Sequence, residues 1–395
     1  MISVSRLLCG AQGPGDSLRY HSYTDGREPL TSAPVVVWNC TNRCNLQCLH
    51  CYASATEQQT GPEMDTGSAK AFIANLATFG VPAILFSGGE PLLREDLFDV
   101  AGYAVSKGLR VALSSNGTLV TDDIARQIRD LQFTEVGVSL DGTEFINDHF
   151  RGKHGAYRAA LEGISNCVRH GIRVSLRFTI TGSNYHDIAA MFQLAEDEGI
   201  DRLCFYHLVY SGRGSTLVLE DIGHAQTRQA VDSICNLTED LHRRGLNKEV
   251  LTVANHADGV YLYLKLMENG SGCAEDTYEL LRKNGGNSSG IRISAVDAGG
   301  YVHPDQFWRG YSPGNVLERS FSDIWMDTSD WLMAALKNRK ALLKGRCGRC
   351  AYLNLCNGNM RERAEAVYDD IWAEDPACYL TDKEIGLGER CGGYY

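Results

Sequence analysis

The chain has 395 residues, 44% hydrophobic and 22% charged, which is a globular composition with length for one large domain and a smaller one. A formal net charge of −11 argues against broad binding of nucleic acid or an anionic membrane surface, since both need a basic face, but it allows a local basic pocket. No apolar run reaches the roughly 18 to 20 residues that cross a bilayer, and residues 1–20 lack the long apolar core of a signal peptide, so the expected location is the cytoplasm.

Residues 1–33 show no strong period and are expected to pack over the following domain or cover its site. From 34 to about 244, short apolar runs rich in β-branched residues alternate with helix-period stretches. The runs are 35–37, 84–86, 110–114, 135–140, 173–180 and 203–208; the helical stretches include 68–78, 96–106, 122–131, 156–170 and 187–198. Strict alternation predicts an α/β fold with a parallel sheet of six βα units, whose ligand-binding loops converge at the C-terminal ends of the strands. Over 245–395 the pattern changes. Residues 284–290 read as a Gly, Asn and Ser linker, 291–303 as a hairpin turning at Gly299-Gly300, and the rest as a Cys-rich α+β domain with short helices.

The cysteines point to metal chemistry. Of fourteen, eight fall at Cys40, Cys44, Cys48 and Cys51, at Cys347, Cys350 and Cys356, or at the following Cys378. In a reducing compartment such clustering reads as metal binding rather than a disulfide framework. Cys167, Cys204 and Cys235 lie inside apolar patterns and read as buried, inert thiols.

Directly after the first run stands Cys44-Asn-Leu-Gln-Cys48-Leu-His-Cys51. Three thiolates on one short loop can ligate three irons of a cubane and leave the fourth open to an amine and a carboxylate. The alternative is zinc, which normally takes four protein ligands; Cys40 and His50 are at hand. Later strand ends add Ser87-Gly88-Gly89-Glu90-Pro91, Ser115-Asn116-Gly117, Asp141-Gly142 and, shortly beyond, Arg151. Paired glycines let backbone approach a ligand, hydroxyl, amide and carboxylate groups suit ribose, and a guanidinium suits a carboxylate. Each is weak alone; together they fall at one mouth. At the other end, Cys347-Gly-Arg-Cys350, Cys356 and Cys378 supply four thiolates, enough for a second [4Fe-4S] cluster or a tetrahedral zinc, and spacing does not separate the two.

The cysteine triplet followed by GGEP and SLDG at later strands resembles the radical S-adenosylmethionine superfamily, whose fold is a partial (β/α)6 barrel. The resemblance implies Cys44, Cys48 and Cys51 as cluster ligands, Gly88, Gly89 and Glu90 around the methionine amine, Ser115 and Asn116 toward the ribose with Asp141 among the cofactor-binding residues, Arg151 toward the methionine carboxylate, and His50 against adenine. The second cysteine group resembles the SPASM and twitch extensions, which carry auxiliary iron-sulfur clusters. It departs from the full SPASM pattern at Met360 and at His303-Pro-Asp305, so one auxiliary [4Fe-4S] cluster on Cys347, Cys350, Cys356 and Cys378 is the economical reading, with Cys273 more readily structural than a stray ligand.

Further stretches, among them residues 1–10, 16–20, 35–39, 303–308, 342–347 and 375–382, resemble the tetrapyrrole-modifying branch of this superfamily. The amino-terminal stretch is closer to members that remove acetate side chains than to those of heme d1 biosynthesis. The implied reaction removes both acetates of 12,18-didecarboxysiroheme to give iron-coproporphyrin III, with an electron donor such as ferredoxin or flavodoxin. Such a substrate calls for cations and offers an iron that can take an axial ligand, for which His303, Asp305, Arg309, Arg177 and His207 are candidates by position. Two competing readings are a SPASM enzyme acting on peptides, against which Met360 and Asp305 stand, and a non-enzymatic cluster carrier, which has no use for GGEP, SLDG and Arg151 at one mouth.

Overall fold

A computed structural model of the chain describes residues 1–20 and 33–388. Within them ten strands form one sheet: β1 (Ile2–Ser3), β2 (Val35–Thr41), β3 (Ala83–Gly88), β4 (Arg110–Ser115), β5 (Glu135–Ser139), β6 (Val174–Ile180), β7 (Arg202–His207), β8 (Glu249–Val253), β9 (Ile293–Val296) and β10 (Val302–His303). Their order is β1-β8-β7-β6-β5-β4-β3-β2-β9-β10. Strands β2 to β7 lie side by side in sequence order and parallel, as the six apolar runs require. One face is hydrophobic, with Val36, Trp38, Ile84, Phe86, Val136, Leu176 and Phe205 buried, whereas the alternate residues, among them Ser87, Ser114, Ser139, Arg177 and Thr179, line a cavity on the other.

The helices end where the sequence punctuates them. The segment Thr66–Phe79 starts at Asp65, whose carboxylate accepts the Ser68 N–H at 2.7 Å, and stops at Gly80 in the left-handed region. It buries Phe72, Ile73 and Leu76, and Trp38 of β2 meets Phe72 edge-on at 5.7 Å. One helix outside the expected set, Glu144–Arg151, follows β5. It buries Asn147 and Arg151 as well as Phe150, so its inner face carries polar groups and shows no plain apolar period.

The sheet does not stop near residue 244. β8 continues it parallel to β7, and β9 adds to the opposite edge parallel to β2. The hairpin at 291–303 is present as antiparallel β9 and β10, with Val302 opposite Val296. Residues 284–290, expected as a linker, are instead a packed loop: Asn284, Asn287 and Ser289 are buried, and Asn287 N–H donates to the Cys356 carbonyl at 3.0 Å. Asn and Ser serve there as side-chain partners for backbone in tight turns rather than as a solvated tether. The amino-terminal residues pack on the β8 edge, where Arg19 pairs with Glu249 at 2.6 Å. Among the described residues no helix is long and apolar enough to cross a membrane.

Candidate active site

The cysteine loop leaves the end of β2 and is held by chain far from it in sequence. Cys44 N–H donates to the Thr56 carbonyl at 2.7 Å, Gln47 N–H to Arg151 at 3.1 Å, and Leu49 N–H to Phe150 at 2.9 Å. From the loop after β7, Arg213 donates through Nε to the Cys48 carbonyl and through Nη1 to Ala55, both at 2.8 Å, and its own N–H meets the Cys51 carbonyl at 3.0 Å. The preceding Gly212 has φ +57°, and a Cβ there would stand 2.5 Å from the Cys51 carbonyl oxygen. Only glycine lets the two loops approach this closely.

Cys44, Cys48 and Cys51 line one cavity together with His50, Gly88, Gly89, Ser115, Asn116 and Arg151. Asn116 Nδ2 is 3.9 Å from Cys44 Sγ, and Arg151 Nη1 is 3.5 Å from Cys48 Sγ. Burial pushes the Cys44 thiol up to about 12. Gly88 has φ +131°, and a Cβ on Gly89 would meet the Arg43 carbonyl at 2.0 Å, so the paired glycines are demanded by the cysteine-bearing chain lying against them.

Two carboxylates from the sequence set stand behind the cavity wall. Glu90 is fully buried; it accepts Ser115 Oγ at 2.9 Å, the Leu92 N–H at 3.2 Å and the Asn116 N–H at 2.8 Å, thereby tying the loop after β3 to the end of β4. Burial pushes its carboxyl up to about 7. Asp141 is equally buried; its Oδ1 accepts the Thr179 N–H at 2.8 Å, while Oδ2 lies against the Arg151 guanidinium and 3.3 Å from His50 Nε2. Burial pulls the His50 imidazole down, and its Nδ1 has no hydrogen-bond partner among the described residues.

Cys347, Cys350, Cys356 and Cys378 line a second pocket with the apolar Ala257, Val260, Leu380 and Ile385. Cys347 and Cys350 flank one 3-10 turn, and Cys356 ends the short helix Leu353–Cys356. Cys378 arrives from a later segment through Asp375, whose carbonyl accepts the Cys378 N–H at 3.1 Å and whose carboxylate is paired with Arg363 at 2.8 Å, both side chains fully buried. Cys273 is exposed and lies outside this pocket. Met360 sits among Cys204, Val209 and Leu251 and receives the Asn287 amide at 3.1 Å.

Residues 38–195 match the radical SAM superfamily. Across 98% of this chain and the whole of the relative, the sequence is 53% identical to Fe-coproporphyrin III synthase of Methanosarcina barkeri. The chain belongs to the radical SAM superfamily. It is also 43% identical to pre-heme d1 synthase of Dinoroseobacter shibae, over 90% of this chain and 88% of that one. The fold is shared with Streptococcus suis SuiB bound to S-adenosylmethionine, at a TM-score of 0.69, 16% identity, and coverage of 89% of this chain and 78% of that one.

As a radical SAM enzyme the protein uses a [4Fe-4S] cluster and S-adenosylmethionine, and the cavity suits both. Three thiols converge there beside N–H donors from Asn116 and Arg151, and the orphaned His50 Nδ1 awaits a polar partner. Among the described residues no three His, Cys, Asp or Glu side chains are drawn together on the scale of a single ion. A cubane places each thiolate on its own iron, so its ligands stand further apart than those of one zinc.

Two residues that sequence reasoning missed complete the radical SAM cavity. Tyr52 lines it, with its hydroxyl bonded to Asn39 at 2.9 Å and Ser87 at 3.1 Å, and Arg213 braces the cysteine loop. Tyr52 is adjacent to Cys51 and was within reach of sequence reading; Arg213 follows β7 and carries no local signal. The substrate candidates part company. Arg177 and His207 line the cavity, Arg177 bonded to Ser114 and His207 to Asp258 at 2.9 Å. His303 does not line it; its Nδ1 bonds the Tyr311 carbonyl at 2.7 Å. Asp305 is turned inward, accepting Ser289 Oγ and the Phe307 N–H, the latter at 2.8 Å, and it buries against Glu362. Arg309 lies in a neighbouring pocket.

Proposed function

We propose that this enzyme removes the two acetate side chains of 12,18-didecarboxysiroheme to give iron-coproporphyrin III. The observation that carries this reading is the 53% identity spanning 98% of the chain and all of Fe-coproporphyrin III synthase, against 43% to pre-heme d1 synthase. Cys44, Cys48 and Cys51 hold the first cluster, and Cys347, Cys350, Cys356 and Cys378 hold one auxiliary [4Fe-4S] cluster. Support for the second site is that all four thiols line one apolar pocket. A ferredoxin or flavodoxin is the proposed electron donor and the cytoplasm the proposed location.

When bound and reduced, the first cluster together with S-adenosylmethionine supplies the 5'-deoxyadenosyl radical that takes hydrogen from an unactivated carbon. The chain's own part is to bind, orient and exclude water. Gly88 and Gly89 would let backbone reach the amino end of the cofactor, Ser115 and Asn116 would meet its ribose, and His50 would offer an imidazole face. Arg151 takes the carboxylate, and Asp141 fixes the angle of its guanidinium. Arg177 and His207 lie on the cavity wall away from the cysteines' own loop, where a carboxylate-rich macrocycle would approach.

The test is an anaerobic assay of reconstituted protein with S-adenosylmethionine, a reductant and didecarboxysiroheme, following 5'-deoxyadenosine and tetrapyrrole mass together. Loss of two acetate-derived units is expected. A product altered at the propionates would move the enzyme to the heme d1 reaction, and cofactor cleavage with unchanged tetrapyrrole would remove this substrate.

A further inference from the structure

Beside the cysteine cavity lies a second pocket, and a single stretch of chain, Gln306 to Arg309, forms the wall between them. Gln306 and Phe307 line the first, while Phe307, Trp308 and Arg309 line the second. The stretch is anchored to the site: Phe307 packs edge-on against Tyr52 with ring centroids 5.4 Å apart, its carbonyl accepts Ser211 Oγ at 2.7 Å, and its N–H is held by Asp305.

This wall concentrates unmet polar groups. Among the described residues Gln306 Oε1, Trp308 Nε1 and Arg309 Nη1 are buried without a hydrogen-bond partner, although Trp308 is only 4% exposed. Arg309 makes no ion pair among the described residues; Asp297, an acid within its electrostatic reach, is already engaged by His303 at 3.6 Å and by the Tyr301 N–H at 2.9 Å. Buried polar groups are normally satisfied; the two donors, Trp308 Nε1 and Arg309 Nη1, mark the place of a ligand that supplies acceptors, while Gln306 Oε1 is an acceptor on the cysteine-cavity side. Aromatic faces contribute part of the remaining lining, with Tyr210, Phe307, Tyr311 and the 63% exposed Trp331, alongside Leu332, Ile371 and the exposed Glu365. Of the two carboxyls on this lining, Glu362 is driven well above the usual range by burial and the adjacent Asp305, which weakens its repulsion of an anion, and Glu365 is raised by burial in the same direction.

We propose that the stretch Gln306 to Arg309 is the carboxylate-reading wall of the substrate site, with Arg309 receiving one side-chain carboxylate of a planar tetrapyrrole whose reacting edge reaches past Phe307 into the cysteine cavity. The inference rests on the substrate class proposed above. A guanidinium grips a carboxylate through two parallel N–H donors, and aromatic faces accept a flat macrocycle. The carboxylate left outside the reaction thereby sets which side chain faces the radical.

The test titrates iron-coproporphyrin III, and separately its tetramethyl ester, into the reconstituted full-length enzyme under anaerobic conditions and follows the Soret band. Wild type is expected to bind the free acid about tenfold more tightly than the ester. Arg309→Gln is expected to erase that difference by weakening the acid alone, and Arg309→Lys to restore part of it, since an ammonium keeps the charge but not the paired donors. The acid-to-ester ratio guards against a misfolded variant, which would lose both ligands together. An unchanged acid-to-ester ratio in an Arg309→Gln variant that still binds the ester as wild type does overturns the inference while leaving the substrate class standing; where Arg309→Gln loses both ligands, an unchanged ratio in Arg309→Lys overturns it. Failure of wild type to bind either tetrapyrrole overturns the substrate class and the inference with it.

Discussion

The two cysteine sites are built in opposite ways. Cys44, Cys48 and Cys51 come from eight consecutive residues on one loop, set into a polar mouth where Asn116 and Arg151 reach two of the sulfurs. Cys347 and Cys350 share one turn, Cys356 ends the short helix after it, Cys378 comes from a later segment, and the four meet among Ala257, Val260 and Leu380. On the function proposed above, the first site would keep one side open to a small molecule, whereas the second, lined largely by apolar side chains, would supply a fourth thiol in place of that opening. A loop motif with polar neighbours is a site for chemistry on a ligand, whereas a closed set of four suits a cluster that only carries electrons or braces the fold.

That contrast breaks at its strongest point if Cys44→Ala, Cys48→Ala or Cys51→Ala still forms 5'-deoxyadenosine. Each is expected to reduce it to background in an anaerobic chromatographic assay. The second site is sharpened by Cys356→Ser and Cys378→Ser, which should lower iron from about eight to about four atoms per chain while uncoupled cofactor cleavage persists. An unchanged iron content there would remove the auxiliary cluster.

A smaller effect separates the sites by how their ligands are delivered. Asp375→Asn leaves the buried Arg363 guanidinium without its charge partner and loosens the segment that brings in Cys378. Breaking such a pair costs about 3–5 kcal/mol, to be read by chemical denaturation of the reconstituted protein. Loss of the second cluster's absorbance at denaturant concentrations where the first survives would show that the pair serves one site. The smallest effect concerns Glu90, behind the first site. Its folded carboxyl sits at about 7 against an ordinary 4.5, so the folded state holds the proton more tightly than the unfolded. Its contribution to stability is present below about 4.5 and is lost as pH rises through about 7. Glu90→Gln should flatten stability across that window, and an unaltered pH profile would show that Glu90 titrates normally.

The spacing of the cysteine triplet, the six parallel strands and five of their helices were legible in the sequence, because each is a local pattern: a loop motif, a β-branched run, a 3.6-residue period bounded by Asp or Gly caps. The helix Glu144–Arg151 was not, since its inward face is partly polar. Nor was the structure of 284–290, where turn-forming residues are used inside the protein rather than at its surface.

What remained for tertiary structure to decide is every contact between residues far apart in the chain. Arg213 clamps the loop of Cys48, Asp141 aims Arg151, Asp375 delivers Cys378, and the wall from Gln306 to Arg309 falls between two pockets. Composition and period name which residues are apolar and which element each belongs to. They carry no record of which distant groups meet, because that depends on strand order, packing and the burial of partners together, and it is there that reactive groups acquire their directions.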